Sequence, residues 1–269
     1  MKHRTAMAGL AAVAIIAVGV ALMSIAPLGS VASSPDRPSS GDVIARSLGS
    51  AVQLFAEREG GAQRTGSGVA LAIGGDGRTF ILTAGHVLAP QVAQTVYVSR
   101  PGSDARAEAT ILALDAEADI AILETGPLDV TPVRLQTAAR LGDAVWVVSF
   151  PWGGRGTLVG GAVSQVGAAG DKSFPLDGPV GLIDAAVSYG TSGGGVFDAR
   201  SGQLVGIVRG YRTAKLALPG TPVQNLEFPI AGETTVVPVS AILCLLARAQ
   251  LAGATGIDAP GAAAGCAQI

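Results

Sequence analysis

The run Asp184-Ala-Ala-Val-Ser-Tyr-Gly-Thr-Ser-Gly-Gly-Gly-Val-Phe-Asp198 packs four glycines, Gly190, Gly193, Gly194 and Gly195, around a single serine, Ser192. Glycine serves where the backbone must take a conformation that side chains forbid, or pass very close to another group. A serine held on such a turn presents its hydroxyl outward, and the N–H groups of Gly190 and Ser192 converge beside it. That pairs a nucleophile with preorganised donors for charge developing on an attacked carbonyl. By itself the stretch also reads as a glycine-rich hairpin with no chemistry. The choice depends on what the rest of the chain supplies.

A serine hydroxyl needs a base, usually a histidine held by a carboxylate. The chain has two histidines, His3 and His86, and His3 lies in the basic tip of an N-terminal apolar segment. His86 therefore remains, at the end of the apolar strand Thr79-Phe-Ile-Leu-Thr-Ala-Gly-His-Val-Leu88. Between base and serine lies Asp115-Ala-Glu-Ala-Asp-Ile-Ala-Ile-Leu123. A carboxylate heading an apolar run is costly unless paired, so Asp119 is the orienting acid, with Asp115 in reserve as a solvated turn residue.

The order of these residues separates folds. An α/β-hydrolase places its histidine after the serine, and no histidine follows Ser192. A subtilisin-like order needs an aspartate ahead of His86; Asp76 and Asp42 are available but lack the strand–helix setting. His, then Asp, then Ser is the chymotrypsin order.

With these pieces the chain resembles a trypsin-like serine protease of the bacterial HtrA/DegP (Do-like) type. The resemblance rests on Gly66-Ser-Gly-Val69, Ile81-Leu-Thr-Ala-Gly-His-Val87, Asp115 to Leu123, Asp184 to Gly194, Leu204-Val-Gly-Ile-Val208 and Val237-Pro-Val239, in the family's order over roughly residues 43–252. It implies an all-β fold of two six-stranded antiparallel barrels with a C-terminal helix. It also implies a triad of His86, Asp119 and Ser192, and an oxyanion hole from Gly190 and Ser192 with Gly193 shaping the turn. Its primary specificity pocket falls near Ala186 and at Arg209, Gly210 and Tyr211. Ala186 puts no acid at the pocket base, so a small or medium apolar side chain is expected there rather than Lys or Arg. Arg209 sits awkwardly in such a pocket. Thr191 stands where trypsin-like zymogens carry an aspartate, so no cleavage-activated switch is expected, and Gly195 replaces a proline. With residues 253–269 left after the last helix, no PDZ-like module is expected. Relatives of this type often form trimers, which the resemblance extends to this chain.

Composition agrees. Charged residues make up 14% and glycine numbers 38, which suits short strands joined by tight turns. The formal net charge of −2 comes without a basic cluster, which argues against nucleic acid. No cofactor is called for, and one usable histidine without clustered ligands argues against a catalytic metal.

Along the chain, residues 1–32 combine the basic Lys2-His-Arg4, an apolar run and the small-residue exit Ser30-Val-Ala32. This is either a secretory signal or a retained membrane anchor over residues 5–28. Either way the remainder is exported, to the periplasm or beyond. Residues 33–42 read as a linker, and Asp42 as the cap of a helix reaching Leu48. The protease domain is expected over 43–252, with its first barrel at 50–125 and its second at 143–238. Strands are expected at 51–56, 67–73, 79–83, 95–99, 107–114 and 120–124, then at 144–150, 157–166, 179–187, 195–198, 203–209 and 233–237. Residues 212–232 form a proline-bearing insertion, a surface flap or a decorated loop. Ser240 is the expected cap of a helix over 241–251, and residues 253–269 are a tail. Cys244 and Cys266 are expected to bridge in an oxidising compartment, worth about 3 kcal/mol in the chain-entropy model.

The function implied is peptide hydrolysis on protein or peptide substrates through an acyl-enzyme. Two alternatives stay open. One is a catalytically silent, protease-shaped binding protein, against which the complete triad argues; the other is an esterase on the same scaffold.

Overall fold

The computed structural model describes residues 38–58, 60–89, 94–137, 139–165, 181–217, 225–258 and 266. The leader over 1–32, most of the tail and the tip of the 212–232 insertion lie outside the described residues. Among those described, no helix is long and apolar enough to cross a membrane.

Helix α1, Ser40–Ser50, opens with a reciprocal cap: Ser39 Oγ accepts from the Asp42 N–H, and the Asp42 carboxylate accepts from the Ser39 N–H. Ser39, not Asp42, is thus the cap residue, with Asp42 closing the box three residues on. Six strands follow: β1 Ala51–Arg58, β2 Gln63–Ile73, β3 Thr79–Ala84, β4 Gln94–Ser99, β5 Ala107–Asp115 and β6 Ile120–Thr125. They close into a barrel in the order β1-β2-β3-β6-β5-β4. The next six are β7 Ala144–Ser149, β8 Thr157–Gln165, β9 Leu182–Ile183, β10 Gly195–Asp198, β11 Leu204–Ala217 and β12 Asn225–Pro238. They close as β10-β11-β12-β9-β8-β7. Every pairing between these twelve strands is antiparallel, so the expected pair of six-stranded barrels is the fold observed.

Side-chain alternation explains why several strands read as unbroken apolar runs. Successive residues of a strand face opposite sides, and here both sides are buried. Ala121 and Leu123 point into the first barrel, while Ile120 and Ile122 face the core shared by the two barrels. In the second barrel, Val147, Val196 and Val208 point inward, and Val148, Phe197 and Ile207 join the shared core. Helix α2, Val239–Arg248, covers that core with Ile242, Leu245 and Leu246. The catalytic candidates therefore sit on the rim of a seam packed on both sides.

Three expectations need correction. Among the described residues of the strand expected over 179–187, only β9 is regular, and 184–194 is irregular. The insertion is not a loop. Strands β11 and β12 run on as a hairpin, with Thr213 opposite Pro229 and Ala217 opposite Asn225. Finally, α2 begins at Val239 after Pro238, without a side-chain cap, and the Ser240 hydroxyl is buried with no hydrogen-bond partner among the described residues. A left-handed Gln250 (φ 57) breaks the helix before α3, Ala252–Thr255. Cys244 on α2 and Cys266 are joined through their sulfurs, with Cα atoms 5.4 Å apart.

Candidate active site

His86 lies in a single helical turn, Gly85–Leu88, at the end of β3. Asp119 is the residue before β6, the strand that pairs with β3, and the Gly85 N–H donates to the Asp119 carbonyl at 3.0 Å. This pairing sets the two side by side. Asp119 has φ 59, a left-handed conformation that aspartate tolerates better than most residues. Its carboxylate is only 10% exposed and grips His86 twice. Oδ1 accepts the His86 backbone N–H at 2.7 Å, and Oδ2 lies 2.9 Å from Nδ1. On the far side of the ring, Nε2 lies 2.9 Å from Ser192 Oγ. Asp119, His86 and Ser192 thus form one continuous chain of contacts between the barrels.

Asp115, the reserve acid, is elsewhere. Its carboxylate accepts from the backbone N–H groups of Glu117 and Ala118 and pairs with Arg248 of α2. Burial alone raises its pKa, but the Ala118 N–H, the Arg248 guanidinium and the Glu117 N–H outweigh this and hold it below the ordinary aspartate value.

The serine loop is held from several directions. Ser67 N–H donates to the Ser192 carbonyl at 2.8 Å, and Ser67 Oγ donates to the Gly190 carbonyl at 2.6 Å while accepting from the Phe150 N–H at 2.8 Å. The Trp152 N–H donates to the Tyr189 carbonyl at 2.7 Å. Because a trans peptide sets N–H and C=O on opposite sides, that bond turns the Gly190 N–H away from Trp152. Gly190 itself has φ 86. The Gly193 N–H donates to the Val208 carbonyl at 2.8 Å. The Gly193 N–H is therefore committed within the turn, which leaves Gly190 and Ser192 as the candidate donors beside the serine hydroxyl. Thr191, at the position of the zymogen aspartate, is buried, and its hydroxyl accepts from the Ser188 N–H at 3.4 Å.

Gly193 carries a sharp prediction. It has φ 82, and an added Cβ would overlap Ser67 O and Thr83 Oγ1 and lie 2.9 Å from Ala84 N. Gly193→Ala is expected to cost about 3 kcal/mol or more from overlap and left-handed strain, lowering the melting temperature by roughly 10 °C. The control is Gly253→Ala, where a Cβ meets nothing within 4 Å. Equal melting temperatures for the two variants would refute this packing.

A cleft of about 570 Å³ runs past Ser192. Arg209, Gly210 and Tyr211 line it as expected, but Ala186 does not; Val187 and Ser188 form that wall, and Ala186 is exposed outside it. No carboxylate is among the described residues lining the cleft. Sequence reasoning missed Trp152 and Tyr189, whose exposed rings meet at 5.1 Å on the cleft's edge. It also missed Ser67, although that residue lies in the quoted Gly66-Ser-Gly-Val69 segment.

Comparison with known proteins bears on the family and the fold. Residues 66–207 match the family described as trypsin-like peptidase domain. The chain is 33% identical over 194 residues to Protease Do-like 2 of Arabidopsis thaliana chloroplasts, covering 67% of this chain and 31% of that protein. It is 31% identical over 154 residues to a probable periplasmic DegP-like serine endoprotease of Ectopseudomonas mendocina, covering 56% and 30%. The chain thus spans about a third of the length of these curated relatives. Among solved structures, the active form of the Rv3671c protease of M. tuberculosis aligns with a TM-score of 0.58 at 25% identity, over 77% of this chain and 83% of that one. The HtrA-type protease AlgW with a tripeptide aligns with a TM-score of 0.60 at 23% identity, over 81% and 65%, a likeness of fold.

Proposed function

The chain belongs to the trypsin-like peptidase family, and from that premise we propose that it is an exported serine endopeptidase working through an acyl-enzyme. One observation carries this: both ring nitrogens of His86 are engaged at 2.9 Å, Nδ1 with Asp119 and Nε2 with Ser192. With Nδ1 donating to the carboxylate, Nε2 is the acceptor for the serine proton. Ser192 Oγ attacks the scissile carbonyl and passes its proton to His86; Asp119 stabilises the imidazolium. The N–H groups of Gly190 and Ser192 bind the oxyanion, each worth about 10²–10³ in rate. His86 then protonates the leaving amine, and water enters by the same route in reverse.

Protein or peptide substrates occupy the cleft along Arg209, Gly210 and Tyr211. The absence of a carboxylate among the described lining residues supports the exclusion of Lys and Arg at the primary position. Export rests on residues 1–32, as a cleaved signal or a retained anchor, and on the Cys244–Cys266 pair, which calls for an oxidising compartment. The periplasmic DegP-like relatives support the same destination. Assembly as a trimer follows from family resemblance.

The test is labelling of the purified chain by a fluorophosphonate probe, followed by profiling on a peptide library. Labelling at Ser192 and cleavage after small or medium apolar residues are expected. A chain that never labels is a protease-shaped binding protein, and a strong Lys/Arg preference refutes the pocket assignment.

A further inference from the structure

Trp152 stands in a strained turn at the edge of the cleft. Its φ of 57 and ψ of 19 are left-handed values that a bulky side chain rarely takes. Such strain persists only where the surroundings hold it, and here they do. The Trp152 N–H donates to the Tyr189 carbonyl at 2.7 Å, and the Gly153 N–H to the Phe150 carbonyl at 3.1 Å. Gly153 lies so close to β2 that an added Cβ would stand 2.8 Å from Thr65 Cγ2. What this turn holds out is a ring. Trp152 is 71% exposed and Tyr189 65%, the two most exposed aromatic side chains among the described residues. Tyr189 meets Trp152 at 5.1 Å on one side and Tyr211 at 6.2 Å on the other.

We infer that Trp152 determines specificity beyond the scissile bond: with Tyr189 and Thr65 it forms a subsite for an aromatic side chain on the residue that follows that bond. This rests on the peptidase reading above and extends it to the leaving half of the substrate. In that reading His86 protonates the leaving amine, so the leaving half departs past His86. Arg64 Nη1 donates to the His86 carbonyl at 3.0 Å, Thr65 follows Arg64 on β2, and Gly153 packs on Thr65. The Trp152 turn is therefore on the leaving side, while Tyr211 on β11 ends the row of rings opposite. A substrate ring meets Trp152 offset or edge-on, a gain beyond the area it covers. A cation is also drawn to an indole face, but here charge works against it. Arg64 and Arg209 line the cleft, and no carboxylate does among the described residues. Arg209 is the bulged residue of β11, between the Val208–Val236 and Gly210–Thr235 pairs, and its Nε lies 3.4 Å from Asp119 Oδ2. Asp119 thus answers Arg209, which leaves Arg64 as the cation that a substrate lysine would face.

The test reads binding before hydrolysis. Fluorescence anisotropy follows fluorescein-Ala-Ala-Ala-Val-Phe-Ala-Ala-Ala amide on the full chain carrying Ser192→Ala, beside peptides with Ala or Lys in place of Phe. The Phe peptide is expected to bind about tenfold more tightly than the Ala peptide, the size of one aromatic contact, and the Lys peptide no better than Ala. With Trp152→Asn added, the preference is expected to fall to about twofold or less, since asparagine keeps the left-handed turn without the ring. Trp152→Tyr restores a ring and is expected to keep most of the preference. Equal affinities for Phe and Ala, no binding of the Phe peptide, a Lys peptide bound as tightly as Phe, or a preference that survives Trp152→Asn overturns the inference. A thermal melt checks the fold of Trp152→Asn. Should it fail to fold, Tyr189→Ala, which leaves the backbone bonds of the turn in place, is judged by the same criterion. With Ser192 in place, mass spectrometry is expected to find cleavage between Val and Phe, and cleavage after Phe overturns the subsite. Failure of all hydrolysis sinks the peptidase reading, while the anisotropy still judges the rings.

Discussion

Ser192→Ala is expected to lower turnover about 10⁶-fold while leaving the barrels folded, because triad members act as a unit and losing one costs nearly as much as losing all. The change removes only the oxygen that faces His86 Nε2 at 2.9 Å. The backbone that holds the loop is untouched: the Ser192 carbonyl still accepts from the Ser67 N–H, and the Gly193 N–H still reaches Val208. Residual rate, roughly 10³–10⁴ above water, would come from the oxyanion donors and substrate binding. Steady-state hydrolysis of a quenched peptide, alongside a thermal melt, checks both halves. Undiminished turnover in a folded variant ends the acyl-enzyme mechanism.

Asp119→Asn is expected to lower kcat about 10⁴-fold with little change in KM. Asparagine accepts φ 59 as readily as aspartate, and its carbonyl still receives the His86 backbone N–H. The fold should therefore tolerate it. The chemistry should not. An amide NH₂ in place of Oδ2 confronts Nδ1–H with another donor, so the imidazole takes the other tautomer. Its proton then sits on Nε2, facing Ser192 Oγ, and the base has nothing left to accept with. The same amide also confronts Arg209, so Asp119→Asn combined with Arg209→Gln should be non-additive. A loss of less than tenfold in kcat would show that Asp119 does not hold the tautomer.

The barrels were legible where alternation and apolar content agreed. Residues 120–124 and 195–198, expected as strands, fall in β6 and β10. The long β11–β12 hairpin was not legible, because residues 212–232 carry three prolines and no period, and its pairing depends on two strands continuing beyond the barrel. The helix caps were misjudged by local chemistry of the same kind. Ser39 and Asp42 share one box and either reads as the cap, whereas Ser240 looks like a cap but falls inside the first turn of α2.

The candidate triad came from elimination: few histidines, an aspartate too costly to bury alone, and a glycine cradle around a serine. Those facts are written along the chain, since they concern which residues occur, in what order and beside what neighbours. The partner of Arg209 is a different matter. Its contact with Asp119 spans 90 positions of sequence and exists only because a bulge in β11 breaks alternation just where that strand passes the turn before β6. No periodicity encodes a register shift between distant strands. That contact, the Ser67 clamp on Gly190 and the displacement of Ala186 from the cleft wall arise from how the barrels close and dock, which is where their physical cause lies.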